Sequence, residues 1–267
     1  MDFEAAHHRS EPAALRRHSI SLRIELPISC LLIRRDHRIV TTSIVVGGSS
    51  GLGRAVAQRF ADRGDTVIIT SRTAARADTV ASEIGDTTQA LAVDLSRPET
   101  IAAALADIRE VDNLVISAME QGANSLADFH IAEAIKSATI KLVGYTETVR
   151  ALHDRFTPGA SVVLFGGLAK EHPYPGSTVV SAANGGITAL VKTLAIEIAP
   201  HRVNAIHPGV VGDSPKWRDA PDHPHLPRTP IGRLVTTAEI IDAIDFLLRN
   251  TGVNAIDLFV DGGLRVT

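Results

Sequence analysis

Glycine, hydroxyl and guanidinium side chains gather where predicted strands end, and those positions are the first candidates for chemistry. Val46-Gly47-Gly48-Ser49-Ser50-Gly51-Leu52-Gly53 follows a short β-branched run and leads into Arg54-Ala55-Val56-Ala57, which has helical spacing. Strand, glycine turn and helix in that order suit a pyrophosphate. Gly47 permits the tight turn, Gly51 lets backbone approach the phosphates, and Gly53 lets the helix pack against the strand. Gly47, Ser49, Ser50, Gly51, Leu52 and Gly53 are therefore expected to contact a dinucleotide. The helix N-terminus would face it with free N–H groups and the positive end of its dipole. At the end of the second predicted strand, Thr70-Ser71-Arg72 stands where an acidic residue would bind the ribose hydroxyls of NAD. Ser71 and the planar donor fork of Arg72 suit a 2′-phosphate instead, so NADP is expected in preference to NAD. His223-Pro224-His225 lacks the spacing of a helical ligand pair and has no third ligand beside it, so no metal is expected.

These residues need a scaffold, and composition bounds it. With 267 residues and 45% hydrophobic content the chain can bury one continuous core, so a single α/β domain is expected. A net charge of −3, from 27 Lys+Arg against 30 Asp+Glu, provides no basic surface for nucleic acid or an anionic membrane. The single cysteine, Cys30, excludes an internal disulfide framework and fits a reducing compartment, here expected to be the cytoplasm.

Residues 1–40 read as an N-terminal extension, with seven arginines, four histidines and no glycine in the first 39 positions. Its apolar run at 26–33 is far shorter than the roughly 20 residues of a spanning helix, and Pro27 interrupts it. Glu25 before the run and Arg34-Arg35 after it do not suit a signal peptide. The extension is expected to be disordered or not native, with translation beginning at Val40 through an alternative start codon.

From Ser43 onward, β-branched runs at 43–46, 66–70, 89–93, 113–116, 161–165, 202–206 and 258–260 alternate with stretches of helical spacing. The helical stretches fall near 53–63, 74–84, 97–109, 131–155, 179–198 and 236–249. This alternation predicts a doubly wound, seven-stranded parallel sheet, a Rossmann fold, over 41–267. The stretch 212–232 holds Pro215, Pro221, Pro224, Pro227 and Pro230 and is expected to be a functional loop.

The spacing Gly-x-x-x-Gly-x-Gly resembles the short-chain dehydrogenase/reductase family, and the likeness runs from 43 to about 265. Asp94-Leu95 is similar to the family's adenine-contacting pair, and Asp112-Asn113-Leu114-Val115 to the entry into its fourth strand. Arg202-Val203-Asn204-Ala205-Ile206-His207-Pro208-Gly209 resembles the sixth strand with its Pro-Gly turn, and Val260-Asp261-Gly262-Gly263 the closing motif. The resemblance places Asp94, Leu95, Ser117, Ala118, Pro208, Gly209 and Val211 at the cofactor. It implies a small-molecule substrate covered by the proline-rich loop at 212–232, with Trp217 as an apolar wall, and a homo-oligomer, tetramer or dimer, joined through the helices at 131–155 and 179–198.

In that family a Tyr and a Lys four residues later handle the proton and the nicotinamide ribose. An upstream Ser orients the substrate oxygen, and an Asn on the preceding helix anchors a relay water. Aligned on Leu190-Val191-Lys192-Thr193-Leu194-Ala195-Ile196-Glu197, the Tyr position falls on Val180 and the Lys position on Asn184. The Ser position falls on Gly167, and the Asn position on Lys141. Asp213 stands where the family has a Thr that touches the nicotinamide amide. Two readings follow. In one, the chain is an NADP(H)-dependent oxidoreductase that moves hydride to or from a carbonyl or an activated acceptor such as a quinone, imine or enone. Its candidate catalytic residues are then Lys141, whose ammonium replaces the missing charge, together with Asn184 and Tyr174. In the other, it is a catalytically inactive NADP-binding sensor or partner subunit.

Overall fold

The computed structural model describes residues 41–120, 124–219 and 222–267, and the expectations for residues 1–40 lie outside them. The strands are β1 (Thr42–Val46), β2 (Thr66–Ser71), β3 (Thr88–Ala92), β4 (Val111–Ile116), β5 (Phe156–Phe165), β6 (Arg202–Pro208) and β7 (Asp257–Val260). They form one seven-stranded sheet in the order β3-β2-β1-β4-β5-β6-β7, with every pairing parallel.

Continuous apolar runs form these strands because helices cover both faces of the sheet, so alternate side chains enter two separate cores. Ile44, Val46, Ile116 and Leu164 point to one side, where they meet Val149, Leu152, Ile187 and Val191. Val45, Ile69, Val115 and Val163 point to the other, toward Val56, Phe60, Ile244 and Leu247. Each such fully buried aliphatic side chain contributes about 1.5–3 kcal/mol relative to exposure. The order reverses direction at β1, whose neighbours are β2 and β4, and such a switch point is where ligands of open α/β sheets bind, beyond the carboxyl ends of the strands.

The helices are α1 (Gly51–Asp62), α2 (Ala74–Ile84), α3 (Ile101–Ala104), α4 (Ile131–Ala138), α5 (Tyr145–Leu152), α6 (Thr178–Glu197) and α7 (Thr237–Arg249). Two depart from expectation. The helix predicted at 97–109 is a 3-10 turn at Pro98–Thr100 followed by one turn of α3, because Leu105 and Ile108 must enter the core before β4 begins. The helix predicted at 131–155 is interrupted by a six-residue π-helical turn, Thr139–Gly144, between α4 and α5. At its end Gly144 lies against the Leu95 backbone, where a β-carbon would come within 2.7 Å of Leu95 O. β5 also starts five residues earlier than predicted, with a register shift against β4 that absorbs Pro158 and Gly159. Helix α6 is long and apolar enough to cross a membrane by composition, but Ile187, Val191 and Leu194 on its inner face are buried in the core.

Candidate active site

At the end of β1 the glycine turn is as close-packed as its sequence predicts. A β-carbon on Gly47 (φ 85°) would sit 2.7 Å from the Ala118 backbone. One on Gly53 would come within 2.3 Å of Gly47 O and 2.4 Å of Ser117 Oγ. Gly51 (φ 53°) faces open space, so the turn leaves room above α1 for a bulky anion. Ser50, the residue capping α1, makes no side-chain cap bond, and α1 has no acidic residue in its first turn. An N-terminus with free donors, no competing carboxylate and open space fits a pyrophosphate.

Ser71 is buried at the end of β2, while Arg72 is exposed and makes no hydrogen bond or ion pair among the described residues. Sequence reasoning overlooked Arg76. Its guanidinium donates to Ser49 O at 3.3 Å and so lies across the same turn as a second cation. The signal was a second arginine four positions beyond Arg72.

The other residues expected at the cofactor sit in different local surroundings. Asp94 is partly buried, and its Oδ1 accepts from both Ser96 N and Ser96 Oγ in a local turn. Leu95 turns its side chain into the core against Gly144, leaving only backbone for a ligand. Val211 is a core residue bridged to Val235. Ser117 and Ala118 line the base of the glycine turn, and Pro208-Gly209 packs against Asp261. Asp213 accepts from Thr237 N and Oγ1 at 2.8 Å each, so it holds the start of α7.

The positions that the sequence alignment assigns to the family's catalytic residues converge. Val180 and Asn184, four residues apart on one face of α6, line a small cavity together with Met119, Glu120, Ser137, Ile140, Ala183 and Lys141. Gly186 permits the approach, because Leu142 of the π turn packs where a β-carbon would be, at 2.6 Å. Lys141 is 5% exposed and donates from Nζ to Gly166 O at 3.3 Å, with the Tyr145 ring 5.3 Å away. It has no carboxylate partner among the described residues, and burial pushes its amine down to about 7. Asn184 is buried with no side-chain hydrogen bond among the described residues, so its amide is available to a ligand in the cavity. A β-carbon at Gly167 would lie 2.6 Å from Asn184 Nδ2, so a serine there and this asparagine compete for one space.

Neither of the chain's two tyrosines lines this cavity. Tyr174, a sequence candidate, is 55% exposed between Pro173 and Pro175. Its backbone is tied to Ser177 Oγ, which turns the segment at the surface before α6. Tyr145 is fully buried and donates to Ala118 O at 2.9 Å, and burial drives its phenol far above the usual range. Trp217 also lies outside the lining and packs edge-on against His223 at 4.4 Å.

A family model described as enoyl-(acyl carrier protein) reductase matches residues 46–265, which is most of the chain. The chain is a short-chain dehydrogenase/reductase. Among the relatives of this dehydrogenase/reductase, the 3-oxoacyl-[acyl-carrier-protein] reductase of Mus musculus is 29% identical over 230 residues, which cover 84% of this chain and 97% of that protein. The L-xylulose reductase of Mesocricetus auratus is 35% identical over 130 residues, 44% of this chain and 51% of that protein. A solved short chain dehydrogenase/reductase family protein superposes with a TM-score of 0.76 at 28% identity, covering 85% of this chain and 98% of that one. The 3-ketoacyl-(acyl-carrier-protein) reductase of Brucella melitensis, solved with NADH, gives 0.74 at 28% identity over 84% and 98%. This short-chain dehydrogenase/reductase thus belongs to an oxidoreductase family and has reductases among its relatives.

Proposed function

We propose that this chain is an NADP(H)-dependent oxidoreductase that acts on a small-molecule carbonyl or an activated acceptor, with Lys141 in place of the family tyrosine as the proton-handling residue. The carrying observation is the buried Lys141 amine in one cavity with Val180 and Asn184, the positions that align with the family's Tyr and Lys. Bound nicotinamide supplies the hydride. The Lys141 ammonium gives its proton to the substrate oxygen that gains charge, and the neutral amine accepts it in the reverse direction. An amine near pH 7 is matched to either role. The Asn184 amide donates a hydrogen bond to the same oxygen or to a ribose hydroxyl.

Arg72 and Arg76 carry the NADP preference. Replacing either with Ala removes a charge-assisted bond to the 2′-phosphate and weakens NADPH binding about ten- to a hundredfold, with NADH affinity unchanged. Fluorescence titration with both nucleotides checks this, and equal losses for the two would refute the assignment. The sensor or partner-subunit reading draws support from the absence of both tyrosines from the cavity, and it predicts tight NADPH binding without turnover.

The reading includes a homo-oligomer. Ile131 (66% exposed), Ile135 (62%) and Val143 (52%) offer an apolar strip on α4 and the π turn, in the region where the family resemblance puts the subunit contact. Sedimentation velocity is expected to give a dimer or tetramer, and a monomer at micromolar concentration would contradict it.

A further inference from the structure

Gly166 and Gly167 share one peptide group, which contributes the Gly166 carbonyl and the Gly167 N–H. That group is planar and trans, so the two point in opposite directions and fixing one fixes the other. On one side Lys141 Nζ donates to Gly166 O at 3.3 Å, and on the other Gly167 N–H donates to His207 Nδ1 at 3.1 Å. We propose that His207 is a positioning residue for Lys141: by accepting from Gly167 N–H, it holds the Gly166 carbonyl toward the Lys141 ammonium in the cavity. The inference rests on the role given to Lys141 above.

Several contacts fix His207 for this task. Its Nε2–H donates to Asp257 Oδ1 at 2.8 Å, which leaves the lone pair on Nδ1. Asp257 Oδ2 in turn accepts from Lys170 Nζ at 3.3 Å. The imidazole is 0% exposed, stacks on Phe259 at 4.8 Å, and occupies the space where a β-carbon on Gly166 would be. Two glycines in succession leave the peptide free to turn over, since neither carries a β-carbon to resist it. The acceptor on His207 selects the observed orientation. A protonated His207 would set Nδ1–H against Gly167 N–H, with Gly167 O, 3.4 Å from Nδ1, as its alternative acceptor. Burial opposes that protonation and outweighs the pull of Asp257, keeping His207 below its ordinary range. The charged groups facing His207 are Asp257 and Lys170. On the cavity side Lys141 shares the lining with Glu120, which pairs with Lys136 at 2.8 Å.

The test is an NMR titration of ε-13C-lysine in the full chain, with the Lys141 resonance assigned by its loss in Lys141→Met. The wild type is expected to titrate at about 7. In His207→Phe the amine loses its oriented carbonyl, and the midpoint falls by about one pH unit. His207→Asn, whose Oδ1 can accept where Nδ1 does, returns the midpoint to near the wild-type value. Turnover should move in parallel: the alkaline limb of kcat shifts with the Lys141 midpoint while KM stays the same. Should the Phe variant fail to fold, His207→Leu, smaller than the imidazole, makes the same comparison. An unchanged Lys141 midpoint in a folded Phe or Leu variant, or an Asn variant that titrates like Phe, would overturn the proposal. Absence of turnover in the wild type would count against the enzymatic reading alone, because the titration does not depend on activity.

Discussion

Lys141→Met is expected to reduce turnover by about a hundred- to ten-thousandfold, the usual cost of losing a positioned proton donor, with the smaller loss on acceptors that need least protonation. Burial sets the amine at about 7, so the ammonium predominates below that pH and the free amine above it. Reduction therefore slows as pH rises through about 7, and alcohol oxidation, which needs the free amine, speeds up over the same interval. Both limbs should vanish in the Met variant. Steady-state rates between pH 5 and 10 check this, and an alkaline limb that survives in Lys141→Met would assign the proton to another group.

The same substitution should stabilise the fold. In the unfolded chain Lys141 titrates near its ordinary 10.5, and in the folded chain at about 7. Between those values the unfolded state binds more protons, so native stability rises with pH across the window. At pH 7 the desolvated amine costs the fold about 4 kcal/mol, which an apolar side chain of similar length does not incur. Lys141→Met is expected to melt higher than wild type at pH 7, and the gap should close above about pH 10.5, where lysine is neutral in both states. An inactive yet more stable variant is the mark of a group retained for chemistry.

Gly166→Ala carries the largest expected stability loss. The added methyl would sit 2.1 Å from His207 Cε1 and 2.2 Å from Nδ1, well inside contact distance. The ring cannot retreat, because Asp257 holds its far nitrogen and Phe259 stacks on its face. Overpacking of this kind costs about 1–3 kcal/mol, which corresponds to a fall of roughly 2–12 °C in Tm for a domain of this size. Combining it with His207→Ala opens the space, so the methyl should cost much less in that background. Calorimetry of the two single variants and the double variant measures the coupling, and strict additivity would show that the glycine is not required by the ring.

How far the sequence reveals this molecule depends on the range of the interaction involved. The central strands were legible because runs such as Ile44-Val45-Val46 and Val162-Val163-Leu164 are buried on both faces and leave no polar alternation. The glycine turn was legible because close packing and positive φ admit few other residues. The break in the 131–155 segment was not, since no proline marks it and its apolar spacing continues through the π turn. Residue spacing alone does not say whether Lys141 reaches the cavity; the π turn together with Gly186 puts it there. Tyr174 could not be located from spacing alone, because the turn around Ser177 decides which way the residues before α6 face. The pairing of Gly166 with His207 joins positions far apart in the chain through sheet register, β5 against β6, and carries no local signal.

The most direct test of the central reading is NADPH oxidation followed at 340 nm in wild-type protein against a panel of quinones, conjugated enones, imines and carbonyls at neutral pH. Turnover on at least one class, falling as pH rises through about 7 and lost in Lys141→Met, is the predicted result. Tight NADPH binding with no oxidation of any acceptor would contradict it and leave a nucleotide-binding sensor or partner subunit in its place.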